Sequence, residues 1–151
     1  MSGPDLFFDS SALFAGIISA SGASRALLVL AEAGQVAITV SEQVVVETER
    51  AVARKIPHAL PDFREAIRAT GLRIVLDPSP DEIEQYANVI SHRADVPIVV
   101  AAIQVKTDYL VTLNRRHFID DPAVVERSKL CIGTPGDALA WMRENLGKLP
   151  D

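Results

Sequence analysis

The sequence predicts an α/β fold: one domain over residues 1–151, with a central, mostly parallel sheet of four to five strands between layers of helix. Three observations predict it. Short apolar, β-branched segments alternate along the chain with longer segments whose apolar residues recur at helical spacing. A chain of 151 residues that is 48% hydrophobic has enough material to bury one core. No internal repeat, low-complexity tract or linker divides it.

The elements follow in order. Leu6–Phe8 is apolar and aromatic and reads as a buried first strand, after which Ser10 or Ser11 caps a short helical turn. From Ser24 to Ala33 the apolar residues are helically spaced, and Gly34 is a natural stop. Val36–Val40 is β-branched and reads as a second strand; Ser41 then caps a helix from about Glu42 to Arg54. Pro57 and Pro61 bracket a break before a short amphipathic helix from Asp62 to Thr70, closed by Gly71. Arg73–Leu76 is a third strand, Pro78-Ser79-Pro80 a turn, and Asp81–Ser91 a helix. Pro97 suits the first turn of a helix reaching about Lys106, with Asp95 near its cap. Tyr109–Leu113 is a fourth strand and Lys129–Ile132 a fifth; Thr134-Pro135-Gly136-Asp137 opens a last helix through about Leu146.

Composition excludes some functions. With 15 basic and 20 acidic side chains the formal net charge is −5, the wrong sign for binding nucleic acid through overall charge, so any such role rests on a local basic patch or on bound metal. A single cysteine, Cys131, excludes an internal disulfide and a multi-thiolate metal site; its flanks Leu130 and Ile132 make it an ordinary core thiol. The start Met1-Ser2-Gly3-Pro4-Asp5 has no signal-peptide pattern, and no uncharged apolar run approaches the ~20 residues that span a bilayer. The expectation is a soluble, cytoplasmic protein with no membrane partner.

Four polar residues lie at the edge of, or within, greasy segments: Asp9 after Leu6-Phe7-Phe8, Glu47 after Val44-Val45-Val46, Asp95 before Val96-Pro97-Ile98-Val99-Val100, and Asn114 after Tyr109-Leu110-Val111-Thr112-Leu113. Burying such groups is costly unless something pairs with them. Ligands in parallel sheets bind beyond the carboxyl ends of the strands, where Asp9 and Asn114 fall. Hard dications such as Mg²⁺ and Mn²⁺ prefer oxygen ligands, and carboxylates converging from separate elements can hold one or two of them for phosphodiester hydrolysis.

Here the sequence resembles a family. Phe7-Phe8-Asp9-Ser10-Ser11-Ala12-Leu13 resembles the opening motif of PIN domains, Ser41-Glu42-Gln43-Val44-Val45-Val46-Glu47 the helix of the second acid, and Asp95-Val96-Pro97-Ile98-Val99-Val100-Ala101-Ala102 with Asp108-Tyr109-Leu110-Val111-Thr112 the third-acid helix and the strand after it. The ordered set covers nearly the whole chain. The resemblance implies a three-layer α/β/α fold and a Mg²⁺- or Mn²⁺-dependent single-strand endoribonuclease, the toxin of a toxin–antitoxin pair like the VapC group, with RNA as substrate, a cognate antitoxin as partner and a homodimeric state. It implies catalytic roles for Asp9, Glu47, Asp95 and Asn114, with the first three as metal ligands. Asn114 departs from the family, which often has an acid there; Asp120 or Asp121 would then compensate, and Thr112 would position metal-bound water. Arg115 and Arg116 offer planar, paired donors for RNA phosphate, and Arg50, Arg54 and Lys55 form a second basic group.

Plainer readings stand beside these. Asp9 and Asp95 are good helix caps, Glu47 can be a solvated helix residue, Arg115 and Arg116 a solvated loop, and Thr112 only a strand residue. His117, next to Phe118, reads as structural, and His58 and His92 have no partner spacing. Among rival functions, a catalytically weak or inactive PIN-like module that binds RNA or protein is motivated by Asn114. A haloacid-dehalogenase-type phosphotransferase would need an acid where Ser11 stands, and a dinucleotide-binding enzyme a Gly-rich turn after the first strand.

Overall fold

A computed structural model describes residues 3–19 and 21–145. Five strands form one sheet: β1 (Asp5–Phe8), β2 (Ala37–Ser41), β3 (Arg73–Val75), β4 (Tyr109–Val111) and β5 (Ile132–Gly133), in the order β3-β2-β1-β4-β5 with every pairing parallel. The helices are α1 (Ser10–Ile18), α2 (Ala23–Glu32), α3 (Glu42–Lys55), α4 (Leu60–Ala69), α5 (Pro80–Gln85), α6 (Val96–Gln104), α7 (Pro122–Ser128) and α8 (Pro135–Asn145). The predicted three-layer α/β/α architecture with a parallel sheet is what the chain adopts.

Burial explains why these segments form these elements. Leu6, Phe7 and Phe8 are all sealed from solvent, as expected of a central strand covered on both faces. In α6 the residues Val96, Ile98, Val99, Val100, Ala101 and Ala102 are all buried; a helix apolar all round is a core helix. Each fully buried Val, Ile or Leu there contributes about 1.5–3 kcal/mol. A satellite cluster of Val52, Ala59 and Phe63 seats α3 and α4 on α1 through Phe14 and Ile17. No single helix among the described residues is long and apolar enough to cross a membrane.

Several expectations need correction. Asp9 caps α1, accepting the Ala12 N–H, as its plain reading had it; Ser10 and Ser11, the other candidate caps, lie inside what is a nine-residue helix. The helix expected over Asp81–Ser91 stops at Gln85, because the chain turns inward to bury Val89 and Ile90. The fifth strand begins at Ile132 and not at Lys129, because Lys129 takes a left-handed φ of 61° to end α7. That helix was not foreseen, although Asp121 before Pro122 carries both of its start signals: Asp121 Oδ1 accepts the Ala123 N–H at 3.0 Å, and Pro122 sits in the first turn. Cys131 is exposed, just before this short edge strand, and is not a core thiol. The Ser41 cap of α3 forms as expected, and the end of the last helix near Leu146 lies outside the described residues.

Strand order positions the site. The chain steps from β1 outward through β2 to β3, then returns to place β4 on the other side of β1. The loops leaving β1 and β4 therefore diverge, and the crevice at such a switch point is where parallel sheets bind ligands. Asp9 and Thr112 are the residues that directly follow these two strands.

Candidate metal and phosphodiester site

Asp9 is 4% exposed and held by three donors. Ser11 Oγ and the Ala12 N–H donate to its Oδ1 at 2.7 and 2.9 Å, and the Thr112 hydroxyl donates to Oδ2. Burial pushes the Asp9 carboxyl above its ordinary range; the bonds from Thr112, Ala12 and Ser11 oppose that rise, and the neighbouring Asp95 charge adds to it. Asp9 is thus both the helix cap of the plain reading and a buried acid within electrostatic reach of Asp95.

The same serine and threonine tie the diverging loops together. Ser11 Oγ accepts the Leu113 N–H at 2.9 Å, and Thr112 Oγ1 accepts the Asn114 N–H at 2.9 Å. Thr112 is completely buried, so its hydroxyl is committed to these two contacts.

Asp95 stands at the cap position of α6 but makes no capping bond; its Oδ2 lies 3.1 Å from His92 Nδ1 and 3.0 Å from His117 Nδ1. The two imidazole rings stack, with centroids 4.2 Å apart. Asn114 starts a π-helical turn over Arg115–Ile119, its Oδ1 accepting the His117 N–H at 3.2 Å while its Nδ2 lies 3.0 Å from His117 Nδ1. Glu47 approaches from α3: Gln43 Nε2 donates to Glu47 Oε2 at 3.1 Å and to the Ala94 carbonyl at 3.0 Å, tying that helix to the residue before Asp95.

The structure therefore brings Asp9, Thr112, Asp95 and Asn114 into one connected region, with Glu47 joined to it through Gln43. Arg115 and Arg116 are exposed on the π-helical turn beside Asn114. Asp121 is committed to capping α7, and Asp120 is exposed at the end of the π-helical turn. Neither makes a hydrogen bond to the acids among the described residues, so neither is seen compensating for Asn114. Arg50, Arg54 and Lys55 are exposed on α3, and Lys55 Nζ lies 5.4 Å from the Phe14 ring centroid.

Sequence reasoning missed His92, Ser11 and Gln43. Two signals were present: His92 precedes Asp95 by three residues and Gln43 precedes Glu47 by four, spacings at which side chains meet in a helical turn. Ser11's bond to Leu113 joins residues 102 apart in sequence and has no local signal.

The donor set suits a divalent cation. Asp9 is a buried carboxyl raised first by burial and, to a lesser degree, by the Asp95 charge, and a nearby cation would offset both. Among the described residues Asp95 Oδ1 and Glu47 Oε1 form no hydrogen bond and remain available as oxygen ligands.

Comparison with known proteins agrees with the fold. The family model described as PIN domain matches residues 5–116, well over half of the chain. No curated protein matches. Among solved structures, PAE2754 from Pyrobaculum aerophilum is similar at TM-score 0.64 and 14% identity, over 94% of this chain and 97% of that one. VapBC2 from Rickettsia felis, bound to a DNA fragment from its promoter, is similar at TM-score 0.57 and 20% identity, over 86% and 98%. Mycobacterium tuberculosis VapC20, described as a sarcin-ricin loop cleaving toxin, is similar at TM-score 0.50 and 16% identity, over 70% and 86%. At these identities the likeness is one of fold.

Proposed function

Taking as premise that this chain belongs to the PIN-domain family, we propose that it is a metal-dependent endoribonuclease for single-stranded RNA and the toxin of a toxin–antitoxin pair. One observation carries the reading: the Asp9 carboxyl is buried at the switch point of a parallel sheet and is linked through Thr112, Asn114 and His117 to Asp95. Likeness in fold to VapBC2 and to the sarcin-ricin loop cleaving toxin VapC20 supports the toxin assignment.

Asp9, Glu47 and Asp95 would hold Mg²⁺ or Mn²⁺, which when bound supplies an activated water and neutralises charge on the scissile phosphate. The chain's own residues do the rest. Thr112 and Ser11 hold the Asp9 carboxylate in one orientation. Gln43 holds Glu47 towards the Asp95 turn. Asn114 fixes His117, which meets Asp95, so Asn114 acts as a positioning residue. Arg115 and Arg116 take the RNA backbone on the exposed turn beside the acids. An antitoxin and a second copy of the chain are the partners this reading assigns.

Purified protein incubated with single-stranded RNA and Mg²⁺ or Mn²⁺ tests this. Cleavage is expected for the natural chain and is expected to fall by roughly a hundredfold or more in Asp9→Asn and Asp95→Asn. No cleavage with either metal, or cleavage that survives both substitutions, refutes it. Absence of cleavage combined with RNA binding that depends on Arg115 and Arg116 supports the second reading, a PIN-like binding module, favoured by an amide at Asn114 where an acid would add charge.

A further inference from the structure

We propose that the pocket between the α5–α6 connection and α7 seats one unpaired nucleotide of a single-stranded RNA, its phosphate held by Arg93 and Arg127. The strand is the substrate of the reading above, on which this site rests, and the pocket is where it continues beyond the acids. The pocket has a volume of about 730 Å³, within the range of small-ligand sites. Ile90 and Val96, both buried, form its floor with Ile83, and Ser91, Arg93 and Arg127 are exposed around it. Asp9, Glu47, Asp95 and Asn114 take no part in its lining.

Its charge is opposite to that of the chain. The net charge is −5, yet among the described residues no Asp or Glu lines this pocket and two guanidinium groups do. Neither arginine forms an ion pair among the described residues. Glu84 borders the adjoining hollow with Arg127 but does not pair with it. Arg127 Nη1 donates to the Asn88 carbonyl at 2.8 Å, which holds the guanidinium against the pocket wall and leaves its other N–H groups unused. Unpaired guanidinium forks on an acid-free wall select an anion, and phosphate fits them in pairs. The apolar floor adds a second requirement. A free phosphate gains nothing from Ile83, Ile90 and Val96, whereas a nucleobase buries a flat face on them and stacks on a guanidinium plane.

Chain connections put the pocket next to the acids. Arg93 opens the turn Arg93–Asp95, and Val96 follows Asp95. His92, just before Arg93, stacks on His117 of the π-helical turn that carries Arg115 and Arg116. The helix that carries Arg127, α7, packs on that same turn. Two basic groups, Arg115 with Arg116 and Arg93 with Arg127, therefore border the Asp95 turn from separate elements. A strand with its scissile phosphate at the acids has neighbouring phosphates for each.

The test reads fluorescence anisotropy of a labelled short single-stranded RNA on the full chain. It is done in EDTA, where no hydrolysis occurs, and again in Mg²⁺ with a phosphorothioate strand that resists cleavage. Arg93→Gln and Arg127→Gln are each expected to weaken binding roughly fivefold or more at low salt and to reduce the salt slope by about 0.7. Arg64→Gln, the same charge change on α4, is expected to leave both unchanged. The Arg93 side chain makes no hydrogen bond among the described residues, so an unchanged urea midpoint is expected for its variant even if Arg127→Gln loosens the Asn88 contact. A strand of the same length without bases is expected to bind more weakly than the natural one. Binding indifferent to both arginine variants overturns the proposal. An abasic strand that binds as well as the natural one reduces the pocket to a phosphate contact and overturns its assignment to a nucleotide. RNA binding that survives both variants while binding of a polyglutamate peptide is lost assigns the pocket to an acidic protein partner and also overturns it. A chain that binds RNA through Arg93 and Arg127 yet never cuts it fails only the nuclease reading. One that cuts RNA equally well with both arginines replaced fails only this one.

Discussion

Replacing Thr112 by valine removes one hydroxyl from the switch point of the sheet and almost nothing else. The two side chains have nearly the same shape, and the position is completely buried, so no cavity term enters. Two polar consequences follow. Asp9 Oδ2 loses its only donor among the described residues, a hydrogen bond to a charged group worth about 1.5–3 kcal/mol. The half-buried Asn114 N–H loses its acceptor at 2.9 Å, which costs about 1 kcal/mol more. The expected loss with Asp9 ionised, at pH above its raised folded value, is therefore about 3 kcal/mol. Thr48→Val is the control: Thr48 is equally buried, but its hydroxyl donates at 2.7 Å only to the Val44 carbonyl within α3, so about 1 kcal/mol is expected, independent of pH. The assay is urea unfolding across a pH series, read from the midpoint at constant slope. Acidification protonates Asp9, the bond ceases to be charge-assisted, and the Thr112→Val deficit shrinks towards that of the control. A deficit below about 0.5 kcal/mol, or one that keeps its size across the whole range from alkaline to acid pH, refutes the reasoning.

Asp9→Asn is expected to remove RNA cleavage while stabilising the chain near neutral pH. Because the folded carboxyl is raised, its contribution to stability is fully present below the ordinary carboxylate pKa and is lost as pH rises through the folded value, so the variant's advantage in urea midpoint appears at neutral pH and closes on acidification. Asn114→Asp keeps an oxygen for the His117 N–H and adds charge beside Asp95; Mg²⁺-supported cleavage is expected to rise, and unchanged rates across a Mg²⁺ titration would leave position 114 with positioning alone. Gly133→Ala would set a Cβ 2.2 Å from the Tyr109 hydroxyl oxygen and 2.8 Å from Asp137 Cβ, for an expected loss of about 1–3 kcal/mol by denaturant unfolding. Adding Tyr109→Phe takes away the nearer obstacle and should recover part of the loss; a double variant no better than the single one would count against that geometry. Tyr109 is suited to this removal, since burial pushes its hydroxyl pKa up to about 12 and it stays neutral throughout.

How much was legible follows from the range of each interaction. Leu6-Phe7-Phe8, Val36–Val40 and the all-apolar Val96–Ala102 announce strands and a core helix, because burial acts on every residue of a segment and leaves a local pattern. Ser41 was readable as a cap because a cap's partner lies three residues away. The short helix before Val89 was overestimated because inward turning is decided by packing. Lys129's left-handed turn left no glycine to mark it.

The candidate site divides along the same line. The sequence by itself determined which residues carry the charge, the parallel α/β architecture, and the placement of Asp9 and Asn114 at the carboxyl ends of strands, since these depend on residue type and near-neighbour spacing. Only the tertiary structure decided that β4 returns to lie against β1. That return sets Thr112 on Asp9 across 103 positions and Ser11 on Leu113 across 102. It also decided that Asp95, in place of capping α6, turns to a stacked pair of histidines, one of them unremarkable in sequence. Hydrogen bonds and ion sites join atoms a few ångströms apart whatever their separation along the chain, and only the fold sets which atoms those are.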